Sequence, residues 1–550
     1  MKLLRLRSKK FWISILVLLI AIVFALAYCS RVHTDNASIV KDFDTFIRLL
    51  EKSHPDPYTN YGGKTYFHLA AEKTRQSLIQ DTVTSLNEFA NRINEFLAPL
   101  QDGHTKVYLE DDSIAKSRAA ITFEVINDGI IVKRIERQYE NLIGSRLLAI
   151  ENTPIKEVYH RLAKYWPAEN EIGQMILINE FGTTADHLSK VLPNMSNKSV
   201  NYQLLTPDGK QVNLNLPFMS DDSQREKSLT SKQCSDLFPS HNLSYDYVDQ
   251  EKKTMYLRLT QISARDCIDT MKDMGMDYSR VVESFYKDLG KEMPSDLEQA
   301  VAQMPSLSEV FEQMLLSMKQ NSSVNLIIDL RGNGGGFTPI ATPTLYQMWG
   351  DEYIKKAANN FGTKSYTLCS RLYTDKYTPF PIPLWVINLL EGTDYKYGDY
   401  IQQDAIEITE ITDSVRDIIL ARGISCIAEH LNTMHGKPIY TPEHVYVLTD
   451  PYTFSAAFHY AFYLWKMGAT VVGVPCAQAP NTYMELTPFG LPRTKLQGSI
   501  SNTLQMFLPK DDPRAKVFYP DLMPTYEDYK RYHFDDNAIP LYLMDMIKKN

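Results

Sequence analysis

The chain has 550 residues, of which 44% are hydrophobic and 23% are charged, and this length predicts about two to four domains. Acidic residues outnumber basic residues by 66 to 58, so the net charge of −8 gives no electrostatic reason to expect a nucleic-acid partner. Six widely spaced cysteines, with no CxxC pair among them, exclude a dense disulfide framework and a cysteine-based zinc site.

The N-terminal segment combines positive charge with a long apolar stretch. A basic cluster precedes residues 11–28, which are uncharged and long enough to span a bilayer as a helix. The cluster is expected to stay in the cytoplasm, which places the rest of the chain outside it. Residues 1–31 are therefore predicted to be a membrane anchor or a signal segment. The protein is expected at the cell membrane, held there by a single membrane pass or by a lipid anchor. The lipid-anchored alternative would end at Cys29, although Tyr28 is larger than the residue preferred before a lipidated cysteine, and plain secretion is a third interpretation.

Residues 36–112 show the periodicity of a small helical domain. Apolar side chains recur at helical spacing in two stretches, at 40–50 and 86–100. The domain ends in the motif Asp102-Gly103-His104-Thr105. A lone histidine in such a place is more often structural than catalytic, so His104 carries little weight by itself.

Residues 117–218 have the pattern of a β-rich domain. Two strand-like runs, 121–125 and 130–133, flank Asn127-Asp128-Gly129, which is a hairpin turn signal. A strand-like run from Gly144, a turn and a helix then follow in an order similar to the middle of a PDZ domain. A generic β-rich domain is an equally open interpretation.

Residues 250–545 have an α/β pattern. Strands are predicted at four runs, 255–259, 324–330, 445–448 and 469–472, and those at 324–330 and 445–448 are expected to be buried. A helix between the last two runs predicts a parallel strand pair joined by a crossover. We also expect a helical insertion at about 268–320 and an irregular insertion at about 351–440.

Ser455 lies where a strand, a tight loop and a helix start follow one another. Free N–H groups and the helix dipole at such a point favour developing negative charge, which suits a nucleophile. Capping of the helix by the serine side chain is the competing interpretation. The sequence is not a Gly-x-Ser-x-Gly elbow, because Thr453 and Ala457 flank the serine.

Gly334-Gly335-Gly336 follows the predicted strand at 324–330. Glycines there let the backbone approach a ligand and turn its N–H groups toward it, as an oxyanion hole requires. A phosphate loop is excluded because no Gly-Lys-Ser/Thr follows. An ordinary glycine turn is the remaining alternative.

These motifs together resemble those of the tail-specific protease family of serine peptidases. The matching stretches are Asp329-Leu330-Arg331-Gly332-Asn333-Gly334-Gly335-Gly336, Thr453-Phe454-Ser455-Ala456-Ala457 and Gly468-Ala469-Thr470-Val471-Val472-Gly473. The Asp-Gly-His-Thr motif is similar to the histidine motif of the family's tricorn-like Ser/His branch. The resemblance implies an α/β peptidase core of the crotonase-like (ClpP/crotonase) superfold, preceded by the helical domain and the PDZ-like β-rich domain.

The resemblance also implies roles for individual residues. Classical members use a lysine downstream of the serine, but residues 473–481 contain none, and Lys466 is expected to point away along the helix. His104 is therefore expected to be the general base. The family's orienting acid precedes a Pro-Asp pair near the C-terminus, which points here to Asp512 or Asp511, with solvated loop charges as the alternative.

The expected function is a serine endopeptidase that hydrolyses extracytoplasmic proteins or peptides through a Ser455 acyl-enzyme. Gly334, Gly335 and Ala456 are expected to supply oxyanion-hole N–H groups, and no metal or other cofactor is required. The rate should fall as the pH drops through the histidine pKa, near 6.5 if unperturbed. The alternative is a non-catalytic protein on the same fold that binds a hydrophobic ligand or a peptide and does not need both the serine and the histidine.

Overall fold

The computed structural model describes residues 35–549 except for 82, 84, 109–116, 193–194, 221, 233–234, 274–276, 377–382, 403–404 and 407. The predicted anchor or signal segment, residues 1–31, lies outside the described part of the chain. Within the described part, none of the helices has the length and apolar character needed to cross a membrane.

Three helices form the N-terminal unit: α1 (Asn36–Ser53), α2 (Lys64–Gln80) and α3 (Leu86–Leu97). The two stretches with helical periodicity lie in α1 and α3. Asp35 and Ser85 cap α1 and α3 by accepting hydrogen bonds from backbone N–H groups of the first turn. The apolar faces of these helices pack on one another and on Phe489 and Ile500 of a C-terminal sheet. The unit is therefore joined to the end of the chain through a shared core.

An eight-stranded sheet with three helices forms the second unit. Its strands are β2 (Arg118–Ala119), β3 (Ile121–Ile126), β4 (Gly129–Glu136), β5 (Arg146–Ile150), β6 (Thr153–Pro154), β7 (Ser199–Leu205), β8 (Gln211–Met219) and β9 (Leu229–Thr230). The main order is β2-β8-β7-β5-β4-β3, and the predicted hairpin is confirmed by the antiparallel pairing of β3 with β4. The helices are α4 (Ile155–Leu162), α5 (Glu171–Glu180) and α6 (Ala185–Val191), and the short α7 (Asp222–Ser228) follows.

The central sheet has five strands in the order β10-β11-β12-β15-β16. They are β10 (Ser244–Tyr247), β11 (Thr254–Arg258), β12 (Asn325–Asp329), β15 (His444–Thr449) and β16 (Thr470–Gly473). Neighbours from β11 to β16 pair in parallel, and every residue of β12 is buried, as its apolar sequence predicted. Helix α18 (Ala456–Lys466) connects β15 to β16.

Helices fill the segment between β11 and β12: α8 (Arg265–Asp273), α9 (Ser279–Asp288), α10 (Leu297–Ala302) and α11 (Leu307–Asn321). Phe285, Phe311 and Met314 of these helices are buried in the same core as the central sheet. The predicted helical insertion at 268–320 is thus part of the crossover between two core strands.

The prediction of an irregular insertion at 351–440 is wrong, because this segment contains regular structure. Its helices are α13 (Asp351–Ala358), α14 (Arg371–Lys376), α15 (Leu384–Glu391), α16 (Asp413–Gly423) and α17 (Ser425–Asn432), preceded by α12 (Ala341–Trp349). Its strands β13 (Lys364–Leu368) and β14 (Tyr400–Gln402) extend a third sheet with β17 (Asn481–Gly490) and β18 (Gln497–Met506). These elements are too short to show a clear period in sequence.

One very short strand, β1 (Lys106–Val107), places the histidine motif. It follows the motif directly and pairs antiparallel with β18, with Lys106 opposite Ser499. The N-terminal histidine is thereby carried to the sheet formed near the end of the chain, where β17 and β18 pair as a hairpin. Two last helices, α19 (Tyr526–Arg531) and α20 (Ala538–Ile547), pack against the β-rich unit.

Candidate active site

Ser455 occupies the N-terminal boundary of α18 in a strained conformation. Its φ of 53° and ψ of −124° lie in a region that non-glycine residues rarely adopt. The side chain makes no capping hydrogen bond, and the backbone N–H donates to Oε1 of Gln478. The capping interpretation therefore does not account for Ser455, whose hydroxyl has no hydrogen-bond partner among the described residues.

The glycine loop packs directly against this serine. A Cβ added to Gly335, whose φ is +111°, would lie 2.7 Å from Ser455 Cβ and 2.9 Å from the Ala456 nitrogen. Asn333 holds the loop in place, because its side chain donates to the Leu259 carbonyl and its own carbonyl accepts from Phe454 N–H, both at 3.0 Å. The loop is thus tied both to the end of β11 and to the residue before the serine.

The N–H groups near Ser455 differ in their availability. Gly335 N–H donates to Asn333 Oδ1 at 2.9 Å, which corrects its predicted role as an oxyanion donor. The N–H groups of Gly334 and Ala456 have no hydrogen-bond partner in the described part of the chain. These two groups are therefore available to receive negative charge.

Asp102 organises the histidine motif from inside the protein. Its Oδ1 accepts from His104 N–H at 2.8 Å, and its Oδ2 lies 3.2 Å from His54 Nε2. Since His54 Nδ1 accepts from Asp56 N–H, the His54 proton is on Nε2 and is donated to Asp102. Burial alone would raise the pKa of Asp102, but the hydrogen bond from His54 and the neighbouring rings lower it, so Asp102 is a carboxylate.

Two further hydrogen bonds attach the motif to β18. Ser499 Oγ donates to the His104 carbonyl at 2.7 Å, and Ser501 N–H donates to Thr105 Oγ1 at 2.9 Å. Together with the pairing of β1, they fix the backbone on both sides of His104.

The His104 ring lies beside the serine loop. It stacks on Phe454, the residue before Ser455, with ring centroids 4.9 Å apart and planes inclined by 24°. Both ring nitrogens are buried, and neither makes a hydrogen bond of good geometry among the described residues, although the Tyr483 backbone comes close enough to raise the pKa of the ring. A buried, unpaired imidazole is costly unless another group completes its hydrogen bonds, so this arrangement suits a base that waits for a proton.

The surroundings of His104 keep it neutral. Burial lowers its pKa to about 4; the Asp102 carboxylate opposes this shift and Lys106 adds to it. The expected decline of the rate near pH 6.5 is therefore displaced to lower pH. A rate that stays flat down to pH 5 would not exclude His104 as the base.

Comparison with known proteins shows which family has these motifs. No curated protein matches the chain in sequence. Residues 296–512 match the family model described as peptidase family S41. This part of the chain, which includes Ser455 and the glycine loop, matches the S41 peptidases. The predicted tail-specific protease family, which consists of peptidases of this kind, is thereby confirmed.

Solved structures show a similar fold. Mature CPAF complexed with lactacystin is 16% identical, with a TM-score of 0.51, and the match covers 90% of this chain and 97% of that chain. A second structure of mature CPAF gives the same identity and TM-score and is covered to 95%. The chain thus has an S41 peptidase fold with mixed α/β content and several sheets, whereas the crotonase-like core and the PDZ-like domain stay predictions.

The predicted orienting acids, Asp511 and Asp512, do not lie near the histidine. Asp512 accepts from Arg514 N–H at 2.8 Å, and the Arg514 guanidinium covers the Trp465 ring in the last turn of α18. That turn lies about 15 Å along the helix from Ser455. Asp511 is exposed beside Asp512. Both aspartates therefore belong to the opposite end of α18, which corrects the prediction.

The acid beside His104 is Glu169, in the loop between α4 and α5. Its Oε1 lies 3.8 Å from His104 Nδ1, and the two side chains are only 2% and 5% exposed. Asp102, His104 and Glu169 could each offer a metal-ligand atom within 4.8 Å of the others. Each Asp102 oxygen already accepts one N–H group, which gives this carboxylate a structural role in the motif.

Two other basic residues of α18, His459 and Lys466, make contacts that give them structural roles. His459 Nδ1 lies 3.1 Å from Thr338 Oγ1, and its Nε2 lies 2.7 Å from Gln505 Oε1. Lys466 lies in the last turn of α18 and places its ammonium 5.7 Å from the Trp465 ring. Neither residue is placed beside Ser455 by these contacts.

Asp102→Asn should destabilise the protein. An amide offers one oxygen to two buried N–H donors, those of His104 and His54, so one donor loses its partner at a cost of about 1–3 kcal/mol. The urea-unfolding midpoint should fall accordingly. In a double-mutant cycle with His54→Leu, most of the loss should appear as coupling between the two sites. Independent, additive effects would contradict the pairing.

Proposed function

We propose that this protein is a serine endopeptidase in which Ser455 is the nucleophile and His104 the general base. One observation carries the proposal: a buried imidazole, whose nitrogens make no hydrogen bond of good geometry among the described residues, stacks on Phe454, next to a serine in a strained conformation. The free N–H groups of Gly334 and Ala456 support it. A serine or histidine with a purely structural role would be expected to use its polar atoms within the fold.

The catalytic cycle follows from these positions. Neutral His104 takes the proton of Ser455 Oγ as the oxygen attacks the peptide carbonyl. The oxyanion is stabilised by the N–H groups of Gly334 and Ala456, each worth about 3 kcal/mol in the transition state. The imidazolium then protonates the leaving amine, and water, deprotonated by His104, releases the acyl group and restores Ser455.

The substrates are proposed to be proteins or peptides outside the cytoplasm, with the enzyme held at the membrane by residues 1–31. The β-rich unit is proposed to act like a PDZ domain and to add a substrate tail as a strand at β3, which ends the order of its sheet. A peptide with a free C-terminal carboxylate should then be cleaved faster than its amidated form. Equal kcat/KM values would contradict tail capture.

Labelling by a serine-directed phosphonate tests the nucleophile. The wild type should become covalently modified on Ser455, and Ser455→Ala should not be labelled, because the alkoxide oxygen is missing. Ser240→Ala, at an exposed serine outside this site, should be labelled as the wild type is. A wild type that neither reacts nor hydrolyses peptides would contradict the proposal and would favour a non-catalytic binding protein.

A further inference from the structure

Glu169 is the buried acid closest to His104 Nδ1, yet it belongs to a different domain from both His104 and Ser455. We propose that Glu169 is the positioning residue of the active site: it orients His104 and connects the histidine loop to the serine loop. This inference rests on the proposed function.

The Glu169 carboxylate contacts both loops at once. Oε1 accepts from Gly103 N–H at 3.3 Å, and Oε2 accepts from Ala479 N–H at 2.9 Å. Gln478, the neighbour of Ala479, accepts the backbone N–H of Ser455. A single side chain therefore sets the distance between the loop that carries the base and the loop that holds the nucleophile.

The histidine motif has a glycine where this carboxylate needs space. A Cβ on Gly103 would lie 3.0 Å from Glu169 Oε1 and 2.9 Å from Phe454 Cζ. Any larger residue would push the carboxylate away from the motif or displace the Phe454 ring on which His104 stacks. The glycine thus lets Glu169, Phe454 and the imidazole occupy one compact cluster.

Asp102 is the other acid near His104, but its oxygens have other partners. Oδ1 accepts from His104 N–H and Oδ2 from His54. Asp102 therefore shapes the backbone of the motif, whereas Oε1 of Glu169 faces the ring at Nδ1. The long 3.8 Å contact is expected to shorten to about 2.8 Å when substrate orders the site.

A hydrogen bond from Nδ1–H to Glu169 would select the tautomer in which Nε2 is the base. It would also stabilise the imidazolium that forms when His104 accepts the Ser455 proton. Both effects act through His104, so Glu169 need not touch the substrate.

The loop that carries Glu169 is anchored on the peptidase core. Asn170 caps α5 by accepting from Gly173 N–H, and its amide donates to the carbonyls of Cys476 and Lys516 at 3.2 Å. Each of the three units thus provides one member of the site. The helical unit provides His104, the β-rich unit Glu169 and the core unit Ser455. Activity therefore depends on how the three units dock.

The charges around Glu169 give its role a pH signature. The groups facing it are Asp102 and His104 on the histidine loop and Thr482 on β17, with Lys106 of β1 and Tyr483 beside His104. Burial raises the pKa of Glu169 to about 8. The Asp102 charge adds to this shift, whereas the hydrogen bond from Ala479 N–H opposes it. Glu169 thus loses its proton as the pH rises through about 8, and the carboxylate that supports His104 becomes more populated. We expect kcat/KM to rise over this range.

Glu169→Gln is the decisive variant, because glutamine imitates the protonated acid and preserves the shape of the site. At pH 8.5, kcat should fall by roughly 10²- to 10⁴-fold with little change in KM, and the rise of kcat/KM near pH 8 should disappear. Glu171→Gln is the matched control. Glu171 lies two residues away, is 52% exposed and pairs with Lys156, so this variant should behave as the wild type.

Glu169→Asp separates charge from shape. It keeps a carboxylate and should retain the rise with pH at a rate above that of Glu169→Gln, even if either variant is less stable. A wild-type kcat and pH profile in Glu169→Gln would overturn the inference, as would equal losses in the glutamine and aspartate variants. Phosphonate labelling distinguishes failure of the proposed function from failure of the role of Glu169. An unreactive wild type contradicts the proposed function. Equal labelling rates in the wild type and Glu169→Gln contradict only the role of Glu169.

Discussion

His104→Ala should lower kcat/KM by about six orders of magnitude, while the protein stays folded. The ring nitrogens make no hydrogen bond that the fold needs, so truncation removes mainly the stacking on Phe454, worth about 0.5–1.5 kcal/mol, and some buried area. Activity is lost because no other described group near Ser455 is placed to take its proton. Peptide hydrolysis and thermal unfolding measured on the same samples would show the two effects separately.

His459→Asn provides the matched control for this experiment. His459 is also buried, and it lies one helical turn after Ser455, but both its nitrogens have partners within the fold. Asparagine cannot reach Thr338 and Gln505 together, so stability should fall by about 1–3 kcal/mol while kcat/KM stays within about tenfold. If the asparagine variant lost activity and His104→Ala kept it, the assignment of the base would be wrong.

Gly335→Ala should abolish both peptide hydrolysis and phosphonate labelling. The added Cβ would lie 2.7–2.9 Å from Ser455 Cβ, the Ala456 nitrogen and the Phe454 carbonyl, none of which belongs to a flexible side chain. The loop or the serine must therefore move, which displaces the free N–H groups from the oxyanion position. A loss of at least about 10²- to 10³-fold in kcat is expected, in the range found when one oxyanion donor is removed.

Gly468→Ala separates this clash from backbone strain. Gly468 has a similar φ of +101°, lies just after α18, and has nothing within 4 Å of the added Cβ. Both variants should lose about 1–3 kcal/mol of stability from the unfavourable backbone conformation, but only Gly335→Ala should lose activity. Equal activity in the two variants would show that the glycine loop does not form the oxyanion site.

The parts of the site that could be predicted from sequence are those encoded locally. Ser455, His104 and the glycine loop each lie within a few residues of a recognisable strand or helix boundary. The fully apolar β12 and the capped helices α1 and α3 could be identified for the same reason. The predicted role of Gly335 as an oxyanion donor was wrong, because the hydrogen bond from its N–H to Asn333 depends on side-chain geometry that the local sequence does not encode.

Glu169 could not be predicted, because its position depends on tertiary packing. It lies in a loop with another glutamate, Glu171, and nothing in the local sequence distinguishes the buried residue from the exposed one. Asp511 and Asp512 were predicted because they precede a Pro-Asp pair near the C-terminus, yet they lie at the far end of α18. Helix and strand periodicity likewise gave no account of residues 351–440, whose short elements are defined by the sheet they join.

The pairing of β1 with β18 has a consequence for biogenesis. Synthesis proceeds from the N-terminus, so Asp102-Gly103-His104-Thr105 emerges early, whereas its support at residues 497–506 emerges almost last. Until that hairpin has formed, the imidazole has neither Ser499 nor Ser501 to hold its backbone. Under the proposed mechanism, a nascent chain is therefore expected to be inert. Catalytic competence would arise only when nearly the whole polypeptide has been made, which would protect the partly made enzyme and its neighbours from premature cleavage.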